Sequence, residues 1–200
     1  MAPKSSTLHS MPTRGLLGFR RKGIRKASQN NYDSYPEGLG KEIIEFILNL
    51  SDTDHDRMQE HLENLTWVDL NSKPDEASVE RYTQLGLSDE ETLRYGPAED
   101  WYMLLHRMQG GRCLPAILKG DLLHLIDDSA FLEDTMFCEW AYYIDFEEEE
   151  LEVWTDAKML CCFGFEELAT INLGAAVKEK QEEEKRTIKR KIAEVDSGEE

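Results

Sequence analysis

Residues 14–28 read RGLLGFRRKGIRKAS, and this stretch decides the fold that the sequence predicts. Two short segments flank the dipeptide Lys22-Gly23. A tight hairpin turn needs positive φ angles, which glycine adopts without strain, so such a dipeptide between two strand-like segments is typical of a β-hairpin. We therefore predict a hairpin of two antiparallel strands near the amino end.

Residues 30–40, NNYDSYPEGLG, follow this hairpin and are rich in turn-forming residues. Asn, Asp, Ser, Pro and Gly each favour turns, so the strand should end here and a helix should begin after Gly40. The next segment, KEIIEFILNL at residues 41–50, places apolar side chains around most of a helical circumference. This distribution predicts a helix that is buried in the core.

The middle of the chain reads as several short helices. Residues 51–56 are acidic and polar and can cap a second helix, which carries Met58, Leu62 and Leu65 at helical spacing. The other predicted pieces are a break at 67–74, a helix at 78–85, a capped helix from 88 to about 96, a helix at 101–108 ended by Gly110-Gly111, and short helical pieces within 114–126.

Residues 140–146 change to a period of two, which is the spacing of a β-strand. A second strand is expected after the glutamates at 147–150, which we interpret as a solvated acidic turn, and MLCCFGF at residues 159–165 predicts a third strand. A short helical turn can follow at residues 165–168.

Together these patterns predict an α+β fold. The N-terminal hairpin and the C-terminal strands are expected to form one small antiparallel sheet, packed with several short helices. We expect residues 1–10 to be a flexible leader, residues 11–172 to form a single domain, and residues 173–200 to be a charged helical or disordered tail. In that tail Ile188, Ile192 and Val195 could dock on a partner helix, but disorder is the stronger expectation.

The net charge of −18 is unevenly distributed along the chain. Residues 1–32 contain basic side chains and neither Asp nor Glu, and all the acidic residues lie downstream. Because an acidic field repels phosphate backbones, nucleic acid is not expected as the main ligand, and a protein partner with a basic surface is the better expectation. The oligomeric state is left open.

The location of the protein is predicted from what the sequence lacks. It contains neither a run of 18 apolar residues nor the apolar core of a secretory signal, so neither a membrane span nor secretion is expected. The basic start also fits a mitochondrial transit peptide, but residues 13–20 are expected to belong to the sheet, which favours the cytoplasm.

The four cysteines, Cys113, Cys138, Cys161 and Cys162, show no CxxC spacing, and this absence indicates reduced thiols.

Residues 11–46, MPTRGLLGFRRKGIRKASQNNYDSYPEGLGKEIIEF, resemble the start of a family of uncharacterised microbial proteins. Members of that family tend to begin Met-Gly-Thr-Arg-Gly and to reach an Asp-Ser/Gly-Tyr-Pro-x-x-Leu-Gly loop before a helix. Residues 100–105, 137–142 and 151–153 extend the likeness, which spans roughly residues 11–170. The resemblance implies that residues 1–10 are an added leader, with Pro12 in place of the usual glycine. It implies no activity, because the family has no established one.

The DSYPEGLG loop at residues 33–40 is the first candidate site. Asp33 can accept hydrogen bonds from amides, Tyr35 offers a hydroxyl group, and the helix start after Gly40 presents amides that favour an anion. Turn chemistry alone explains most of these residues, so a structural role for Asp33 as a turn cap is the stronger interpretation. The candidate binding residues are Arg14, Tyr32, Asp33, Tyr35 and Glu37.

No catalytic or metal-binding residue stands out in the sequence. A zinc site built from His106, Cys113, His124 and Cys138 would lack the ligand spacing of known sites. The thiols at 138 and 161 lie in apolar segments, where inert buried cysteines are common. No phosphate-binding glycine motif occurs in residues 110–120, and no cofactor is expected.

These patterns favour an acidic, soluble protein-interaction module. The alternative is a small-molecule binder or small enzyme that uses a pocket between residues 33–40 and the C-terminal hairpin, with Asp33, Tyr35 and Arg14 as polar groups. A non-enzymatic role is favoured over an enzymatic one. A cavity lined by these side chains would support the binder, whereas a loop whose polar groups are all satisfied locally would support the module.

Overall fold

The fold is that of a computed structural model, which describes residues 13–88 and 98–196. The predicted α+β fold is confirmed, because the N-terminal hairpin and the C-terminal strands share one five-stranded sheet against which short helices pack. The predicted leader at residues 1–10 and most of the predicted helix at 88–96 lie outside the described residues.

The strands of the described residues are β1 (Arg14–Arg21), β2 (Ile24–Asn30), β3 (Thr66–Val68), β4 (His124–Ile126), β5 (Cys138–Asp145), β6 (Glu150–Thr155) and β7 (Lys158–Gly164). The main sheet has the order β2-β1-β5-β6-β7, and β3 pairs with β4 in a separate parallel ribbon. The three-strand meander β5-β6-β7 agrees with the period-two prediction for the C-terminal part of the chain.

The hairpin of β1 and β2 turns at Lys22 and Gly23, as predicted. Their φ angles are 48° and 78°, and Arg21 pairs with Ile24 across the turn. Two successive positive φ angles give a turn whose twist matches that of the flanking strands, which is why a glycine is suited to this position.

The pairing of β1 with β5 is parallel, which corrects the expectation of a wholly antiparallel sheet. Leu17 lies opposite Tyr142, and Phe19 lies opposite Ile144. Parallel neighbours need a long crossover connection, and the helical middle of the chain supplies it. Alternation of apolar residues is the same in either strand direction, so the pattern carried no information about orientation.

The α-helices of the described residues are α1 (Lys41–Leu48), α2 (Asp52–Glu63), α3 (Glu76–Gln84), α4 (Trp101–Leu105), α5 (Cys113–Leu118) and α6 (Leu173–Asp196). The hydroxyl oxygen of Ser51 accepts a hydrogen bond from the amide of Asp54 and so caps α2, as predicted. Strand β3 occupies part of the predicted break, and β4 occupies the end of the predicted helical pieces. The break between helices is confirmed, because α2 ends at Glu63 and α3 begins at Glu76, whereas the helical prediction is wrong at residues 124–126, since a strand of three residues is too short to show a period.

Helix α1 buries one face rather than its whole circumference. Ile43 and Ile47 are buried, whereas 46% of the Leu48 surface is exposed. The predicted burial of this helix is therefore confirmed for the side that carries Ile43, Ile44 and Ile47 and is wrong for the opposite side, which does not meet the core.

The sheet carries a separate apolar cluster on each face. The larger cluster includes Leu17, Tyr142 and Ile144 and extends into the helices. The smaller one includes Leu16 and Tyr143 on the opposite face. The side chain of Tyr142 thus lies on the helical side, where it reaches the segment that follows β2.

Helix α6 packs on the rest of the molecule through its first turns. Leu173 and Val177 are 5% and 1% exposed, whereas the side chains of residues 182–191 are exposed. Among the helices of the described residues, none has both the length and the apolar composition required to cross a membrane.

Candidate functional site

The loop after β2 is held in place by hydrogen bonds to two strands. The hydroxyl group of Tyr142 donates to the carbonyl oxygen of Ser34 (3.0 Å), and the amide of Ser34 donates to the carbonyl oxygen of Thr13 (3.3 Å). The Nδ2 group of Asn30 donates to the Ser34 hydroxyl oxygen (2.8 Å). Ser34 is itself fully buried. These bonds fix residues 30–34 relative to β1 and β5.

Asp33 acts in this loop through its backbone. Its carbonyl oxygen accepts a hydrogen bond from the amide of Leu39 (2.9 Å), and its φ angle is 50°. Asp and Asn tolerate positive φ better than most residues, which explains why an aspartate suits this position. The hydrogen bond that closes the loop is thus made by the main chain, which corrects the interpretation of the Asp33 side chain as the cap.

The amides of Gly38, Leu39 and Gly40 are occupied. The amides of Gly38 and Gly40 both donate to the carbonyl oxygen of Tyr35 (3.0 and 3.2 Å). The amide of Lys41 donates in turn to the carbonyl oxygen of Gly38. These amides are therefore not free to bind an anion, because they already have main-chain acceptors.

A polar cleft lies beside the first part of the loop, with a volume of about 480 Å³. One wall consists of Arg14 and residues 30–33, and the other consists of Glu42 and residues from Tyr102 to Arg112. The lining residues are Arg14, Asn30, Asn31, Tyr32, Asp33, Glu42, Tyr102, His106, Arg107, Gln109, Gly111 and Arg112.

The two walls meet at Gln109 and Gly110. The Nδ2 group of Asn31 donates to Oε1 of Gln109 (2.7 Å). Gly110 has a φ angle of 61°, and a side chain there would overlap the side-chain oxygen of Asn30. Glycine is therefore required both by the backbone conformation and by the close approach of the walls.

The cleft concentrates cations on an acidic protein. Among the described residues, three arginines and two carboxylates line it, although the net charge of the chain is −18. Arg14 and Arg112 are exposed, and neither forms an ion pair with a carboxylate in the part of the chain that the structure describes. The guanidinium group of Arg14 lies over the ring of Phe137, at 5.9 Å from its centroid. These two guanidinium groups are the cations best placed to meet an anion in the cleft.

Gln109 adds an unusual polar group. Its Nε2 atom is buried and has no hydrogen-bond partner among the described residues, whereas its Oε1 atom is held by Asn31. A buried donor without an acceptor costs free energy, so an acceptor supplied by a ligand would be favourable here.

The structure brings together part of the predicted site. Arg14, Tyr32 and Asp33 line the cleft, and Tyr35 and Glu37 do not. The Oε1 atom of Glu37 instead lies 3.5 Å from Nζ of Lys178 on α6.

The opposite wall differs from the one expected, because it comes from residues 102–112 rather than from the C-terminal hairpin. Arg107, Gln109 and Arg112 surround the Gly110-Gly111 pair, which the sequence pattern marks as a helix stop. Polar and basic residues around a double glycine were the available signal for this wall.

The charged side chains of a second cluster, on β1, β2 and β6, pair with one another. The side chain of Glu152 is 0% exposed and accepts hydrogen bonds from Arg20 (2.7 Å), Arg25 (2.7 Å) and Trp154 (2.8 Å). Burial opposes the charge of Glu152, but the hydrogen bonds from Arg25 and Trp154 and the charges of both arginines outweigh burial and lower the pKa of this carboxyl group. The cluster therefore serves the fold, because both carboxylate oxygens are already paired.

The thiols are poor nucleophiles. Burial raises the pKa of Cys113 and of Cys138 to about 12 and that of Cys161 to about 11. Cys162 is exposed at the residue level, and partial burial of its thiol together with the carboxylates of Glu150 and Glu152 raises its pKa to about 11. Because the thiolate is the reactive form, these cysteines stay protonated near neutral pH.

The residues considered for zinc do not assemble. Within residues 13–88 and 98–196, no group of three or more His, Cys, Asp or Glu side chains is arranged to hold a metal ion. The Nδ1 atom of His124 instead shares a hydrogen bond with the hydroxyl group of Tyr82 (2.7 Å). Burial lowers the pKa of His124, so the neutral ring is favoured.

Comparisons of the chain with protein-family models, with curated proteins and with solved structures gave no match. The resemblance to the microbial family stays an expectation from the sequence, and the functional argument rests on the cleft.

Proposed function

We propose that the protein binds a small anionic molecule in the cleft between residues 30–33 and 102–112. The observation that carries this proposal is that Arg14 and Arg112 line one cleft without a carboxylate partner in the described residues. Guanidinium groups present planar arrays of donors that match carboxylate and phosphate oxygens.

The size and polarity of the cleft support this class of ligand. Its volume of about 480 Å³ falls within the range of about 300–1,000 Å³ that is usual for small-molecule sites. Most of the lining side chains are polar or charged, which suits a charged ligand better than an apolar one.

The overall charge favours a compact anion over a polymer. A net charge of −18 repels a polyanion over long distances, and the part of the chain that the structure describes supplies three cleft arginines to offset that repulsion. A ligand with one or two negative charges experiences less of this repulsion, so we do not propose nucleic acid as the main ligand.

Titration calorimetry with inorganic phosphate tests the proposal. We expect saturable binding at one site per chain, and we expect the substitutions Arg14→Gln and Arg112→Gln each to weaken it about ten-fold, because each removes a charge-assisted hydrogen bond. Both side chains are exposed, so these substitutions leave the core unchanged.

Arg186→Gln provides the matched control. Arg186 is exposed on α6, outside the cleft, and its replacement removes the same charge from the chain. Affinity should be unchanged in this variant. Absence of saturable binding to the unsubstituted protein, or an equal loss in all three variants, would contradict a specific anion site.

A second candidate function is an interaction with a protein that has a basic surface. The observation that favours it is the acidic surface formed by Asp52, Asp56, Glu147, Glu148 and Glu149, all of which are exposed. Asp52, Asp56 and Glu149 line one shallow depression between the start of α2 and the turn after β5. Such a surface steers a basic partner toward the protein and repels an acidic one.

Binding of a lysine-rich peptide, measured by fluorescence anisotropy at two salt concentrations, tests the second candidate. We expect binding that weakens in high salt, because surface charges are screened, and that weakens again when residues 147–149 are replaced by glutamine. Equal peptide affinity before and after that replacement would exclude this surface as the binding site.

We also infer that the protein works in a reducing compartment, and we propose the cytoplasm. All four cysteines are free thiols in the structure, including the adjacent pair Cys161 and Cys162. Cell fractionation with an antibody against the chain checks this location, and recovery in an oxidising compartment would oppose it.

A further inference from the structure

The cleft contains an exposed aromatic ring next to its cationic groups. Tyr32 is 75% exposed and Tyr102 is 43% exposed, and both line the cleft. The centroid of the His106 ring lies 5.6 Å from that of Tyr102, at an interplanar angle of 33°. Tyr102 therefore already has an aromatic neighbour. Tyr32 is therefore the more open of the two rings. An exposed aromatic face of this kind is a stacking platform for a planar ring.

The orientation of Gln109 completes a second recognition element. Asn31, which precedes Tyr32 in the chain, holds the Oε1 atom of Gln109 at 2.7 Å. This bond leaves the buried Nε2 group of Gln109 as a donor without an acceptor in the described residues. A carbonyl oxygen or an unprotonated ring nitrogen of a ligand would satisfy that donor.

The three elements together suit one chemical class. Arg14 and Arg112 suit a phosphate group, Tyr32 suits a planar ring, and Gln109 suits an acceptor atom on that ring. We propose that the anionic ligand of the cleft is a mononucleotide. This inference rests on the proposed function, because it names the class of anion that the same cleft takes.

Titration calorimetry with inorganic phosphate, adenosine, adenosine monophosphate and uridine monophosphate tests the inference. We expect a mononucleotide to bind about ten-fold more tightly than phosphate, since stacking and one hydrogen bond are added. Adenosine should bind more weakly than adenosine monophosphate, because it lacks the group that the arginines recognise.

Two substitutions assign the added affinity to named groups. Tyr32→Ala and Gln109→Leu should each lower the ratio of nucleotide affinity to phosphate affinity about three-fold. Tyr32 is exposed, so its replacement leaves the core intact. Ile24→Ala, which removes a side chain that is 67% exposed and lies outside the cleft, should leave the ratio unchanged.

The outcomes separate this inference from the proposed function. Phosphate and mononucleotides of equal affinity would overturn the nucleotide inference and leave the anion site in place. Binding of neither would overturn both, and adenosine that binds as tightly as the monophosphate would overturn the nucleotide inference, since the phosphate group would then contribute nothing to nucleotide binding. A short single-stranded oligonucleotide that binds more tightly than a mononucleotide would overturn the assignment to mononucleotides.

Discussion

The side-chain amide of Asn31 donates a hydrogen bond to Oε1 of Gln109, across 2.7 Å, and this bond joins the two walls of the cleft. The residues are separated by 78 positions in the sequence, so the bond sets a long-range distance. Arg14 belongs to the wall that carries Asn31, and Arg112 belongs to the wall that carries Gln109. The spacing of the two arginines therefore depends on this contact.

The first prediction concerns the Asn31–Gln109 bond. Asn31→Ala should weaken phosphate binding about three- to ten-fold, because the walls lose the bond that sets the spacing of the arginines. The free energy of unfolding should fall by only about 0.5–1.5 kcal/mol, which is typical for one hydrogen bond. Calorimetry and urea unfolding measure the two effects.

Asn49→Ala is the control for this prediction. The Nδ2 group of Asn49 donates to the carbonyl oxygen of Glu45 (2.6 Å), and Asn49 does not line the cleft. This substitution should lower stability by a similar amount and leave phosphate affinity unchanged. If both variants lose affinity equally, the cleft does not depend on the bond between its walls.

The second prediction concerns the backbone conformation of Asp33. Because its φ angle is 50°, Asp33→Ala should lower the free energy of unfolding by about 1–2 kcal/mol, whereas Asp33→Gly and Asp33→Asn should be nearly neutral. Asp33→Asn should also strengthen phosphate binding, since it removes a carboxylate from the cleft. Urea unfolding of the three variants provides the comparison, and an equal loss for glycine and alanine would instead point to a side-chain cap.

The third prediction is a pH dependence set by Glu152. Its pKa is lowered below the ordinary value of 4.5, so the folded state binds this proton more weakly than the unfolded state does. The contribution to stability is therefore fully present above about pH 4.5 and is lost as the pH falls through the lower pKa of the folded protein. Urea unfolding between about pH 6 and pH 3 should show this loss.

Glu152→Gln should be less stable than the unsubstituted protein near neutral pH and should vary less with pH in the acid range. Glu139→Gln, an exposed change on β5, should keep the full pH dependence. A Glu152→Gln variant whose stability falls as steeply as that of the unsubstituted protein would show that other carboxyl groups control the acid transition.

The fourth prediction concerns the turn between β6 and β7. Asp156 and Ala157 have φ angles of 50° and 56°, and alanine is strained in this region of the Ramachandran plot. Ala157→Gly should raise the free energy of unfolding by about 1 kcal/mol, which corresponds to an increase in Tm of about 2–4 °C.

Ala175→Gly tests whether the gain is specific to the turn. Ala175 lies in the first turn of α6, where glycine is less favourable than alanine, so the same substitution should lower Tm there. A decrease in both variants would mean that strain at residue 157 is negligible.

Local patterns in the sequence predicted the strands of the main sheet. The hairpin followed from Lys22-Gly23, and the later strands followed from the alternation around Tyr142, because both signals lie within a few residues. The direction of pairing between β1 and β5 depends on the path of the intervening helices, and three-residue strands such as Thr66–Val68 show no period. These features depend on tertiary structure, so the local pattern could not predict them.

The sequence pattern predicted residues of only one wall of the candidate site. The turn chemistry of residues 30–40 drew attention to Tyr32 and Asp33, which line the cleft. The opposite wall approaches through the positive φ angle of Gly110 and the contact of Gln109 with Asn31, neither of which has a signal in the local pattern. Of the predicted pocket, Asp33 is the residue of the 33–40 loop that lines the cleft, and the C-terminal hairpin contributes none of the lining residues named above.

The most direct test of the account is an NMR titration of the arginine side chains with inorganic phosphate. The Nε–Hε signals of Arg14 and Arg112 should shift together, with one saturating curve and the same dissociation constant, while the signal of Arg186 stays in place. If those two signals do not move, or move only in linear proportion to added salt along with Arg186, the cleft is not an anion-binding site.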